Sequence, residues 1–292
     1  MKLSLSAFFQ CGLNVQLIRR LPASFCYGYI QLLGKIFYLF RPKERRIIGR
    51  NIRDLMGDRD EAYIRQVIRE TFKGIFAHYF EKLFSAFRDV EQIRSLVQRN
   101  VTIQNVELLD RALRGGKGVM MVTAHFGAVE FIPWVLGFAG YPVSAVLECT
   151  TEALHAALME KTRYIDCELI TGTDGSSVFF KALQSLKANR LLMTECDEVD
   201  TWHKRKNRTI DLFGQTLYLD NTLNVLARRS GAPTVGVFLK RVSRSRYTLI
   251  CEPIETNVDT AIGALELFEK HVGENPEQWY QWKKWSQMKV AS

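Results

Sequence analysis

The sequence is poor in the residues that punctuate or staple a chain. It holds 19 glycines and 7 prolines in 292 residues, too few for a linker-rich, collagen-like or low-complexity protein, so wholesale disorder is excluded. Its 6 cysteines (Cys11, Cys26, Cys149, Cys167, Cys196, Cys251) are scattered and include no CxxC pair. That excludes a disulfide scaffold and a zinc ribbon and fits reduced thiols. There is no P-loop and no GxGxxG, so nucleotide binding has no support. The absence of a GxSxG elbow argues against a covalent serine mechanism. No HExxH is present, and His78, His155, His203 and His271 lack the spacing of a metal site. No metal or cofactor is therefore expected.

Long apolar runs are also missing. Leu21 to Phe40 has the length of a membrane span, but Pro22, Gln31, Gly34 and Lys35 interrupt it. Phe131 to Leu147 is uncharged, yet Pro133, Gly137, Gly140 and Pro142 divide it into a helix, a turn and a strand of a soluble core. The opening MKLSLSAFFQ has one lysine and no small-x-small cleavage site, so no secretory leader is expected.

Positive charge is what the chain has in excess: 40 Lys and Arg against 31 Asp and Glu, a net +9. The excess sits in two blocks, 13 basic against 6 acidic residues from Arg19 to Lys73 and 10 against 2 from Thr201 to Arg246. Such blocks imply an anionic partner: a membrane surface, a phosphorylated lipid, an acidic carrier protein or nucleic acid. Nucleic acid rests on charge alone, without a recognised module, and is not expected. Behind the Leu21–Phe40 run come Arg41, Lys43, Arg45, Arg46, Arg50 and Arg53, a pattern that fits a helix dipping into the cytoplasmic leaflet with its cations on anionic headgroups. A true span and an ordinary soluble helix are the alternatives.

With 47% hydrophobic residues the chain can fill a sizeable core. Residues 61 to 99 read as helical, with Phe72, Ile75, Phe76, Tyr79, Phe80, Leu83, Phe84 and Phe87 recurring at three- and four-residue steps. This stripe is either core packing or the wall of an acyl-chain groove. From about residue 116, short apolar runs alternate with helical stretches, which predicts an α/β fold: a single domain whose mostly parallel central sheet is flanked by helices. Residues 1–60 are expected to form an N-terminal helical membrane-associating arm, and 61–292 the α/β domain.

The sharpest constellation is VMMVTAHFGAVEF. A buried strand ends at Ala124, His125 follows, Gly127 permits a turn, and Glu130 comes five residues after the histidine. On a continuous helix that spacing turns the two side chains roughly 140° apart, so they meet only if His125 lies in the turn and Glu130 in the first helical turn. Open α/β sheets place ligands at such strand ends. A carboxylate on one imidazole nitrogen fixes the tautomer and makes the other nitrogen a base for a hydroxyl.

GVMMVTAHFGAVEF resembles the His-x4-Glu block of the bacterial lipid A biosynthesis (lauroyl/myristoyl) acyltransferases, a branch of the lysophospholipid acyltransferase superfamily. Asn51-Ile52, RLLMTECDE, LFGQTLYLDNTLNVLARRSGAPTVGVFLKR and NPEQWYQWKKW are similar to further blocks of that family, in order and over nearly the whole chain. Two departures stand out: Glu195-Cys196-Asp197 replaces an Asp-Gln pair, and two lysines precede Trp285 where His-Arg-Arg is frequent. The resemblance implies an O-acyltransferase at the cytoplasmic face of the cell inner membrane. His125 is its base, Glu130 orients it, and the donor is acyl carrier protein or acyl-CoA. The acceptor is an anionic membrane lipid, a lipid A precursor first, with a lysophospholipid, a mannolipid or an amino-acid lipid as alternatives. A non-catalytic lipid-binding protein is the rival from another class. For the acceptor site, Arg163 aligns with a family arginine thought to handle phosphate, and Glu195 and Asp197 end a strand on the edge of the sheet where His125 lies. The run including Lys204, Arg205 and Lys206 is a candidate headgroup clamp or a solvated loop.

Overall fold

The structure, a computed structural model, describes residues 5–57, 59–149, 151–172, 177–202, 204, 207–255 and 259–290. Its first half is helical: α1 (Leu5–Phe9), α2 (Gly12–Arg20), α3 (Ala23–Leu39), α4 (Pro42–Met56), α5 (Glu61–Phe87) and α6 (Val90–Asn100). The expected helix over 61–99 is two helices because aspartates start each one. Asp60 accepts from the backbone N–H groups of Ala62 and Tyr63, and Asp89 accepts from that of Glu91. The second half of α5 is buried on nearly every side, including His78, Glu81 and Ser85, so it runs as a central helix between the arm and the sheet.

Then follow β1 (Val101–Gln104), α7 (Glu107–Leu113), β2 (Val119–Thr123), α8 (Ile132–Phe138), β3 (Val143–Val146), α9 (Glu152–Lys161), β4 (Cys167–Ile170), α10 (Val178–Lys187) and β5 (Leu191–Glu195). A hairpin of β6 (Thr209–Leu212) and β7 (Gln215–Tyr218) turns on Phe213 and Gly214, both at positive φ. The chain closes with α11 (Thr222–Ser230), β8 (Thr234–Arg241), β9 (Tyr247–Pro253), α12 (Thr260–Glu274) and α13 (Trp285–Met288). Seven strands form one sheet in the order β1-β9-β8-β2-β5-β3-β4, parallel except for the β8–β9 pair. The fold is the α/β sheet the alternation predicts. Strand β1 and helix α7, four and seven residues long, are too short to show a periodic signal in the sequence.

Strand β2 is buried along its whole length, as VMMVT requires of a strand covered on both faces. Its parallel register with β5 sets Thr123 against Glu195, and the ladder continues when the N–H of Cys196 donates to the carbonyl of Thr123 (2.8 Å). Two residues beyond each strand end lie His125 and Asp197. The register alone brings them together.

Residues 5–57 pack into the same apolar core as the sheet, with Phe9, Ile18, Ile30 and Ile52 buried. Gly34 of α3 lies so close to the Phe76 ring of α5 that a side chain there would enter the ring. Asn51 donates to the carbonyl of Trp282 (2.7 Å) and the Trp285 indole donates to Asp54 (3.0 Å), stitching α4 to the C-terminal segment. Helix α3 buries Cys26, Ile30, Gly34 and Phe37 and leaves Phe25, Leu32, Ile36 and Leu39 exposed, with Phe40 just beyond. Among the described residues, no helix is long and apolar enough to cross a membrane. Overpacking this seam tests whether arm and body form one cooperative unit. Gly34→Val should destabilise the whole protein by about 1–3 kcal/mol, seen as a single shifted thermal transition; an unmoved main transition would show that the arm folds separately.

Candidate active site

His125 sits in the turn after β2 with its side chain 13% exposed, and three carboxylates surround the imidazole. Nδ1 lies 3.0 Å from Oδ1 of Asp197, whose side chain is wholly buried. Asp197 also accepts the backbone N–H of His125 (3.1 Å) and the indole N–H of Trp279 (2.7 Å). Burial works to raise the Asp197 carboxyl, but the charge of His125 and these donors outweigh it and hold it below the usual carboxylate range. An ionised Asp197 makes Nδ1 a donor and leaves Nε2 as the reactive nitrogen. Nε2 lies 3.3 Å from Glu195 and 3.5 Å from Glu198.

Burial pushes against a charged imidazole, yet Glu195, Asp197 and Glu198 together raise His125 to about 9. Glu195, desolvated and only partly compensated by His125, is pushed up to about 7. The cluster therefore holds protons around neutrality and releases them in sequence as pH rises. His125, Glu195 and Glu198 also bring possible ligand atoms within 4.8 Å of one another, where a cation could bind. An Nε2–H shared between the two glutamates satisfies the same oxygens without one.

The expected hydrogen bond between His125 and Glu130 is not formed. Glu130 lies in a single 3-10 turn, Val129–Phe131, and faces α5, where it lies 3.4 Å from Lys82 Nζ and 3.7 Å from His78 Nε2. The nitrogen it was expected to occupy belongs to Asp197. Glu130 and His125 nonetheless line one cavity. Arg163 is exposed and lines neither that cavity nor its larger neighbour, although Thr162 and Ile165 beside it do line the first. Lys204 is exposed, and Arg205 and Lys206 lie outside the described residues.

The turn carrying His125 is braced from the C-terminal side. Gly127, at positive φ, abuts the carbonyl of Leu239 with no room for a side chain, and its N–H donates to the carbonyl of Gln278 (3.0 Å). The N–H of Tyr280 donates to the carbonyl of His125 (3.1 Å). Arg241 donates to the Gly127 carbonyl and forms a two-pronged pair with buried Glu81 (2.7 and 2.9 Å), while the Gln278 amide bonds both backbone groups of Arg241. Motif reading passed over Glu198, Lys82, Gln278 and Trp279 as site residues. The available signal was the paired ends VMMVTAH and LLMTECD, which set His beside Asp once the strands are parallel neighbours.

A family model described as "Bacterial lipid A biosynthesis acyltransferase" matches residues 6–285. The chain belongs to this family. It is an acyltransferase, and it moves an acyl group from a donor to a lipid acceptor. No match is found among curated proteins. Among solved structures, the 1-acyl-sn-glycerophosphate (LPA) acyltransferase PlsC from Thermotoga maritima is similar at 13% identity, over 88% of this chain and 99% of that one, with a TM-score of 0.39, too loose an overlap to argue from.

If His125 is the base of this acyltransferase, its rate should climb with pH toward about 9 as the imidazolium loses its proton. Glu195→Gln removes the carboxylate that most favours the cation, so the rising limb should move to lower pH in kcat/KM profiles. A limb that stays in place would separate Glu195 from the titration.

Proposed function

We propose that the acyltransferase moves a fatty acyl group from a thioester to a hydroxyl of a phosphorylated glycolipid, with a lipid A precursor as the first candidate acceptor and His125 as general base. The observation that carries this reading is the position of Nε2, beside Glu195 and Glu198, which line two adjoining cavities at once. The larger, about 660 Å³, runs between β5 and helices α10, α11 and α12 over Phe179, Ala182, Leu192, Leu226 and Leu265, and no cation is among its described lining residues. It suits a hydrocarbon chain. The smaller, about 370 Å³, mixes Lys82, Lys283 and Lys284 with carboxylates that include Glu130, Glu195 and Glu198, a polar wall that suits the hydroxyls of a glycolipid acceptor.

The steps follow from this placement. The acceptor oxygen attacks the thioester carbonyl carbon while its proton passes to Nε2. The tetrahedral intermediate then expels the thiolate, which takes the proton from His125. No covalent enzyme intermediate is required, and holding both substrates in adjoining cavities supplies much of the rate. Acyl carrier protein or coenzyme A would present the thioester. The exposed apolar row of α3, ending at Leu39 and Phe40, with the open groove of Arg45, Arg46, Arg50 and Arg53 beside it, supports peripheral attachment to the anionic cytoplasmic face of the inner membrane.

Purified enzyme, given acyl carrier protein and coenzyme A thioesters against a panel of detergent-solubilised acceptors and read by mass spectrometry, decides the reaction. His125→Ala should lose transfer by at least about 10²-fold, and a rate within a few-fold of the parent would defeat the reading. In the same assay Ala182→Phe, which fills the larger cavity, should shift the preferred donor toward shorter chains; an unchanged chain-length profile would place the acyl chain elsewhere. Leu39→Glu with Phe40→Glu should weaken binding to anionic vesicles while leaving turnover in detergent intact. Equal vesicle binding would remove this face from the membrane reading.

A further inference from the structure

The proton chemistry at His125 leaves one demand of acyl transfer unanswered. Attack on the thioester places a full negative charge on the carbonyl oxygen, and that oxygen needs fixed donors in a water-poor site. Three ammonium groups line the cavity that His125 shares with Glu130. Lys284 is bound to Glu198 (3.0 Å) and Asp200 (2.7 Å), and Lys283 is exposed. Lys82 lies inside, its side chain 18% exposed, with Glu130 as its one ion-pair partner among the described residues. An ammonium has three donors, and a single carboxylate oxygen 3.4 Å away leaves two of them for the cavity.

The scaffold fixes this group relative to the imidazole from two sides. Glu130 lies in the 3-10 turn that follows the His125 loop. One helical turn before Lys82, His78 stacks on Tyr280 (3.9 Å between centroids, 18° between planes), and the edge of Tyr280 meets the His125 ring (5.4 Å, 84°). Lys82 and His125 thus line one cleft, with the His78–Tyr280 stack joining the helix of Lys82 to the His125 ring. Burial disfavours the Lys82 cation, but Glu130 more than restores it. His78 is pushed well below its ordinary value by burial and by the Lys82 charge, so it stays neutral and does not compete as a second cation for Glu130.

We propose that Lys82 is a second catalytic residue, whose ammonium donates hydrogen bonds to the oxyanion of the tetrahedral intermediate, and that Glu130 is the positioning residue that aims it. The inference rests on the acyl-transfer reading of His125. As the acceptor oxygen bonds to the carbonyl carbon, the carbonyl π electrons move onto oxygen beside Lys82, and the hydroxyl proton goes to His125. As the C–S bond breaks, they return to re-form the carbonyl, and the departing sulfur carries away the bond pair and takes the proton from His125. Lys82 keeps its own protons throughout.

The test compares Lys82→Met, Lys82→Arg and Glu130→Gln with His125→Ala in steady-state assays against both substrates. Lys82→Met should lower kcat by about 10²–10³-fold with acceptor KM within threefold, the signature of an interaction made in the transition state. Lys82→Arg should recover at least tenfold of that loss. Glu130→Gln should lower kcat less than Lys82→Met and add nothing to it in the double variant. A raised acceptor KM with kcat retained would make Lys82 a headgroup ligand and overturn the proposal. So would a kcat within threefold of the parent, or independent effects of Lys82 and Glu130. Should Lys82→Met fail to fold, Glu130→Gln carries the decision, with a kcat equal to the parent's as the overturning result. An active His125→Ala would instead remove the underlying reaction, so the two failures are distinguishable.

Discussion

A single buried carboxylate, Asp197, organises the end of the sheet where the candidate site lies. Asp197 accepts the backbone N–H of His125, its imidazole Nδ1 and the Trp279 indole, so all the donors it gathers come from the groups it positions. In a dry site an ionised carboxylate is costly unless it is satisfied in this way. The arrangement fixes the ring, its tautomer and the approach of the C-terminal segment at once. Losing any one donor would strand charge in the core, so the geometry of the His125 ring and the stability of the sheet end are one problem with one solution.

The fold was legible because its signals are local. Buried runs such as VMMVT and LLMTE, separated by amphipathic helices, force a parallel sheet. His125 was singled out differently: a histidine at a strand end is more often structural, and the likeness of GVMMVTAHFGAVEF to a family block made it the candidate. Its partner was not, because adjacency of β2 and β5 is a property of topology, and spacing along one chain favours the nearer carboxylate. Glu130 stands five residues from His125 yet turns toward α5, whereas Asp197 stands 72 residues away and touches the ring.

Other members of the site were hidden by their company. Lys82 lies within the aromatic periodicity of α5 and reads as a cation on the edge of a core stripe until the helix is seen to border a cavity. The NPEQWYQWKKW block was recognisable as a family ending, but its physical purpose needed coordinates. Gln278 and Tyr280 bond the backbone of the His125 turn, Trp279 bonds Asp197, and Trp282 and Trp285 are joined to helix α4. The same segment therefore couples the His125 turn to the arm that bears the exposed apolar face.

That coupling has a consequence for biosynthesis. Trp279 lies 82 residues after Asp197, and the turn it helps to brace comes earlier still. During translation the imidazole and its carboxylate emerge long before the indole that completes their shell. A nascent chain thus carries the His125–Asp197 pair in an unfinished setting, and only the late arrival of the tryptophan-rich segment completes its hydrogen bonds and docks it against the amino-terminal helices.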